Sequence, residues 1–144
     1  MIVNTAYIYM GVGGGGGGTP ANPNLWQDGV ANYPVEFTKN SSIKPKYLSL
    51  ISGGSATFSE LLLTGFNSLT ISKYGDSFHP NIPIKIEFFN SSGQLLGTET
   101  VTFAYSTTTQ SVNIPSAAKI QNAKIRMTNE NSSKNINLSS ALLS

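Results

Sequence analysis

The chain has 144 residues, with nine Lys/Arg, seven Asp/Glu, one histidine and no cysteine. One domain is the default at this length, and without cysteine there is neither a disulfide to staple the fold nor a thiolate to bind zinc or attack a substrate. Only 11% of residues are charged and the net charge is +2; Lys44 and Lys46 flank Pro45 while Lys119, Lys124 and Arg126 are scattered, so no basic patch suits a nucleic acid.

The first ten residues read as a strand. Val3, Thr5, Tyr7 and Tyr9 fall on one side of an extended chain, with Ile2, Ala6, Ile8 and Met10 mostly on the other, and β-branched and aromatic residues favour that conformation. Both sides carry apolar groups, so the segment is expected to pair with something else, with Ile2, Val3, Tyr7, Ile8 and Tyr9 as its anchoring residues. The start has no positively charged leader, so it does not read as a secretory signal, and no stretch is apolar for long enough to span a bilayer.

Residues 11–24 read as a linker. Gly13 to Gly18 is an unbroken run of six glycines, followed by Thr19-Pro20-Ala21-Asn22-Pro23-Asn24. Glycine has the most backbone freedom to lose, so the run forms no stable helix or strand by itself. As a flexible coil it spans about 20 Å.

Residues 25–144 carry the domain, and its period is two. Ala56-Thr57-Phe58 leads into Glu60-Leu61-Leu62-Leu63; Leu69 and Ile71 alternate with Thr70 and Ser72. The clearest hairpin has Ile82, Ile84, Ile86 and Phe88 alternating with Pro83, Lys85 and Glu87. A turn follows at Asn90-Ser91-Ser92-Gly93, and the return strand carries Val101, Phe103 and Tyr105. A register centred on that turn places Lys85 opposite Glu99. Val112 and Ile114, Ile125 and Met127, and Ile136 and Leu138 mark further strands, while Pro115-Ser116-Ala117-Ala118 suits a single helical turn. Turn residues separate the strands at Gly53-Gly54, Thr64-Gly65, Tyr74-Gly75-Asp76 and Asn129-Glu130-Asn131. Short strands without intervening helices imply an antiparallel sandwich or barrel. A solenoid would need an internal repeat, and none is present.

The order of these signals carries a resemblance. It runs from Leu25-Trp26-Gln27-Asp28-Gly29 through Gly53-Gly54-Ser55-Ala56-Thr57 and Leu63-Thr64-Gly65-Phe66-Asn67-Ser68-Leu69-Thr70-Ile71 to the long hairpin and Ala123-Lys124-Ile125-Arg126-Met127. This resembles the jelly-roll modules, similar in outline to galactose-binding-like domains, found in tail appendages of phages that infect Gram-positive bacteria. Val35-Glu36-Phe37-Thr38 stands where that family often has Gly-Gly-Trp. The resemblance implies an antiparallel jelly-roll β-sandwich and a virion protein of the tail, neck or head fibre. It would join other virion proteins through its N-terminal segment, assemble as a homo-oligomer such as a trimer, and contact host surface polysaccharide. A purely architectural part without a ligand, and a bacterial carbohydrate-binding or adhesin module, are the alternatives.

Chemistry is sparse. His79 sits in Phe78-His79-Pro80, a loop, with no nucleophile elbow elsewhere. Pairs such as Glu60 with Asp76, or Glu87 with Glu99, show no cleft-spanning pattern for glycoside hydrolysis. The glycine run lacks the Lys-Ser/Thr ending of a phosphate loop. A metal site lacks its ligands, although the resemblance admits a structural calcium near Tyr74-Gly75-Asp76-Ser77. The expectation is a protein that is not an enzyme, needs no cofactor, touches neither nucleic acid nor membrane, and works by binding. Rings that stack on sugars and groups that bond hydroxyls near turns make Tyr74, Asp76, His79, Trp26 and Tyr47 the ligand-binding candidates.

Overall fold

The computed structural model describes residues 22–75 and 81–144. The anchor residues Ile2, Val3, Tyr7, Ile8 and Tyr9, the glycine run, and Asp76 and His79 lie outside the described residues. Asn22, Pro23 and Asn24 are part of the folded body. The Tyr33 hydroxyl donates to the Asn22 carbonyl at 2.6 Å, the Leu143 amide donates to Pro23, and Asn24 bridges Leu142.

Among the described residues twelve strands form. They are β1 (Trp26–Gln27), β2 (Val30–Ala31), β3 (Val35–Phe37), β4 (Ser42–Ile43), β5 (Leu48–Leu50) and β6 (Ser55–Leu61), then β7 (Ser68–Lys73), β8 (Ile82–Phe89), β9 (Leu95–Phe103), β10 (Thr109–Asn113), β11 (Ala123–Asn129) and β12 (Ile136–Leu143). A single 3-10 turn covers Ser116–Ala118. One sheet has the order β3-β6-β11-β8-β9 and the other β10-β7-β12-β5-β4, with β1-β2 a separate hairpin and every pairing antiparallel. From β5 to β12 the chain crosses between the sheets at nearly every connection. Numbering those eight strands from β5, the sheets read 1-8-3-6 and 2-7-4-5, which is the jelly roll.

The sheets close on one apolar core. Phe37, Phe58, Phe88 and Phe103 are fully buried from the first sheet, and Leu48, Leu50, Leu69 and Ile71 from the second. Burial of each contributes roughly 1.5–3 kcal/mol.

The strands are irregular at three bulges, and two of them serve the core. In β6, Glu60 takes a positive φ of 57° where the β11 pairing shifts between Ala123 and Ile125. The extra residue turns Glu60 outward and brings Leu61 and Leu63 inward behind Phe58. In β12 the register shifts between Leu138 and Ser140, so that Ile136, Leu138, Ala141 and Leu143 all face the core. In the β8–β9 hairpin the shift lies at Phe88/Phe89. It moves Lys85 opposite Thr100 and Ile86 opposite Glu99, correcting the Lys85–Glu99 pairing expected from a simple turn. Lys85 instead lies 4.0 Å from Glu87 and 3.8 Å from Glu130.

Asn129 fastens one end of the sandwich. It is fully buried; its side-chain amide donates to the carbonyls of Leu50 at 3.1 Å and Lys134 at 2.8 Å, and its oxygen accepts the Asn131 amide at 2.9 Å. The 130–135 loop is thereby tied to β5 in the other sheet. Asn129→Ala leaves these buried groups unpaired, so a loss of about 2–4 kcal/mol is expected, measured as a lower urea midpoint with unchanged slope.

Candidate functional site

Two neighbouring features on the outer side of the second sheet form the candidate site. The first is a tyrosine pair. Leu48 and Lys73 face inward, so by alternation Tyr47 and Tyr74 face outward from the strands on either side of β12. Leu48 and Lys73 both lie opposite Leu138, which sets the two tyrosines diagonally across β12, and the Tyr74 amide donates to Asn137 at 2.9 Å. The ring centroids are 4.9 Å apart with planes inclined at 32°. Tyr74 is 38% exposed and Tyr47 is half-buried.

The second feature is a cleft of about 310 Å³ lined by Asn24, Gln27, Asp28, Lys46, Ser139 and Ser140, together with Trp26 and Pro45. Three local structures build it. The β1–β2 hairpin turns through Asp28-Gly29, whose φ values of 52° and 81° are those a two-residue type I′ turn requires. Gly29 is necessary there for a second reason, since a Cβ would sit 3.0 Å from the Pro45 Cα. Lys44-Pro45-Lys46-Tyr47 forms a tight turn, closed by the Lys44 amide on the Tyr47 carbonyl at 2.7 Å, and so ends the neighbouring strand at Leu48. The β12 bulge supplies the floor. Strand β5 covers β12 as far as Leu138, and the 23–25 segment resumes cover from Ala141. Ser139 and Ser140 lie in the gap, among the described residues without a strand opposite them on that side.

The rest of this outer face is hydroxyl and amide. Thr70 and Ser72 project from β7, Ser111 from β10, Asn137 and Leu142 from β12 and Ser49 from β5, by the alternation that buries Leu69, Ile71, Val112, Leu138, Ala141 and Leu48. Thr70 and Ser111 exchange a hydrogen bond at 3.1 Å. The opposite face of the sandwich is different: Arg126 clasps Glu87 with contacts of 2.9 Å from both Nε and Nη2 and lies 4.8 Å from the Phe89 ring centre. Glu87 is there as half of that ion pair, and Glu99, opposite Ile86, is not beside it.

Of the five ligand-binding residues expected from sequence, Tyr47 and Tyr74 are brought together. Asp76 and His79 lie outside the described residues, as does part of the suggested calcium loop. Trp26 is corrected: it is 3% exposed and stacks on Phe58, centroids 5.9 Å apart and planes at 17°. That side of the indole is closed to a ligand, and the residue forms part of the cleft wall. Its Nε1 is buried with no partner among the described residues. Tyr33, also near a turn, is 6% exposed and part of the core. Asp28, Lys46, Ser139 and Ser140 were missed. Asp28-Gly29 between Trp26-Gln27 and Val30-Ala31 is the available signal for the first, and the spacing of Ile136, Leu138, Ala141 and Leu143 for the serines.

Neither a protein-family model nor a curated protein matches the sequence. Among solved structures, similarity extends to a family 6 carbohydrate-binding module at 18% identity and TM-score 0.49, covering 68% of this chain and 72% of that one. It extends also to a family 35 carbohydrate binding module from Clostridium thermocellum at 14% identity and TM-score 0.44, covering 98% and 86%. A glycoside hydrolase family 43 arabinoxylan arabinofuranohydrolase from Bacillus subtilis matches at 14% identity and TM-score 0.49; 88% of this chain is covered but only 28% of the enzyme.

The division of roles between the aromatic residues is testable by thermal unfolding. Trp26→Ala removes a core ring and is expected to cost about 3–5 kcal/mol. Tyr74→Ala, at the surface, is expected to stay within about 1 kcal/mol of the parent.

Proposed function

We propose that this chain is a non-catalytic binding module for polysaccharide, with the ligand lying over the Tyr47–Tyr74 pair and reaching into the cleft at the β12 bulge. One observation carries the reading: a surface aromatic pair, Tyr74 exposed and Tyr47 half-buried, 4.9 Å between centroids, set in a field of serine, threonine and asparagine beside a polar cleft. Sugar rings present apolar C–H faces and a rim of hydroxyls. Aromatic rings meet the first, while side-chain hydroxyls and amides bond the second. Binding in this way requires no positioned acid, base or nucleophile.

The setting we propose is a phage particle exposing the domain toward host surface glycans. The support is the sequence order of an apolar stretch at residues 1–10, a run of six glycines, and then the folded body, which suits a tethered domain. Many tethered copies raise avidity above the affinity of one site, so weak contacts on a shallow face suffice.

Titration with purified host-wall and other polysaccharides tests the reading, and the single tryptophan, in the cleft wall, serves as a fluorescent reporter. Tyr47→Ala and Tyr74→Ala are each expected to weaken binding about tenfold, on the order of 1.4 kcal/mol, with unfolding midpoints near the parent. Release of reducing ends by the parent protein, or retention by no polysaccharide, would show the reading to be wrong.

A further inference from the structure

Charge is distributed unevenly between the two outer faces. The strands of the first sheet carry Glu36, Lys85, Glu87, Lys124 and Arg126, among others. In the five strands of the second sheet the only charged residue is Lys73. It faces inward, where its ammonium donates to the carbonyls of Ala104 at 3.1 Å and Tyr105 at 2.7 Å. Every outward position of those strands is therefore uncharged. At the cleft, Asp28 and Lys46 bring one charge of each sign.

This matters because an anion and a neutral sugar make different demands on a surface. A hydroxyl leaving water finds equivalent partners in Thr70, Ser72, Ser111 and Asn137. A carboxylate or phosphate loses far stronger hydration and needs a cation to replace it. Among the described residues the strands of this face offer none, and at the cleft the single lysine, Lys46, is offset by Asp28; the arginine fork that suits carboxylate and phosphate is absent from both.

We infer that the ligand is an uncharged, extended glycan lying across β7, β12 and β5, and that the face discriminates against polyanionic glycans such as uronate or glycerol-phosphate polymers. This rests on the glycan-binding reading and narrows it to a substrate class. Two features give the extended geometry. The tyrosine platform and the cleft lie along the same stretch of β12, at Asn137 to Ser140, and the sheet continues past them through Ser72 and Thr70 without a charged or bulky interruption apart from Leu142.

The test uses the full chain against immobilised polymers: a set of neutral wall and plant polysaccharides, polygalacturonate, and a glycerol-phosphate teichoic acid. Each is measured at about 0.02 M and about 0.5 M salt, where screening lengths differ several-fold. The expected result is binding to a neutral polymer at least about tenfold tighter than to either polyanion, unchanged by salt. Ser72→Lys, at the centre of the face, is expected to reverse the order, weakening the neutral polymer and adding salt-sensitive binding to the polyanions. Tighter polyanion binding by the parent protein, abolished by salt, overturns the neutral assignment while leaving glycan binding in place. If no polymer of any class is retained, the glycan-binding reading falls and this inference with it.

Discussion

The interior of the sandwich requires apolar side chains to arrive in register, and the molecule meets that requirement by inserting single residues where the sequence spacing is wrong. A strand presents alternate residues to one face, so a three-residue step between apolar positions would send half of a strand's apolar groups to water. β12 has such a step, Leu138 to Ala141, and the bulge at Ser139–Ser140 absorbs it. β6 has another, Phe58 to Leu61, absorbed at Glu60 with its positive φ. The core is kept intact by irregularities at its walls.

The same irregularity makes the site. A bulge bends its strand and leaves one residue without a partner. In β12 it coincides with the place where β5 has ended and the 23–25 segment has not yet begun. The opening is bounded by two tight turns, Asp28-Gly29 and Lys44-Pro45-Lys46, that hold its rim in place. The residues that keep the β12 core in register are thus the same two serines that line the cleft.

The jelly-roll order explains why the tyrosines meet. Tyr47 and Tyr74 flank β12, a strand more than sixty residues later in the chain, and it is the placement of the last strand between β5 and β7 that brings them over one surface. A shift of one residue in either pairing would turn one ring into the core. The inward Lys73, which bonds the carbonyls after β9, and the buried Asn129, which links β5 to the 130–135 loop, anchor those pairings at their ends.

The alternation of Ile82 to Phe88, the turn at Asn90 to Gly93, the strands at Leu69, Ile125 and Ile136 and the single turn at Ser116–Ala118 are all legible in the sequence, because each depends only on neighbours along the chain. So is the all-β class. Strand order, the burial of Trp26 against Phe58 and the approach of Tyr47 to Tyr74 are not. Each is decided by which distant segment lies alongside, and neither local propensity nor period encodes that. A tryptophan beside a turn has the same local signature whether it faces a ligand or a phenylalanine from another strand. Only the packing of the β1–β2 hairpin against Phe58 of β6 buries it, because removing so large an apolar ring from water is favourable.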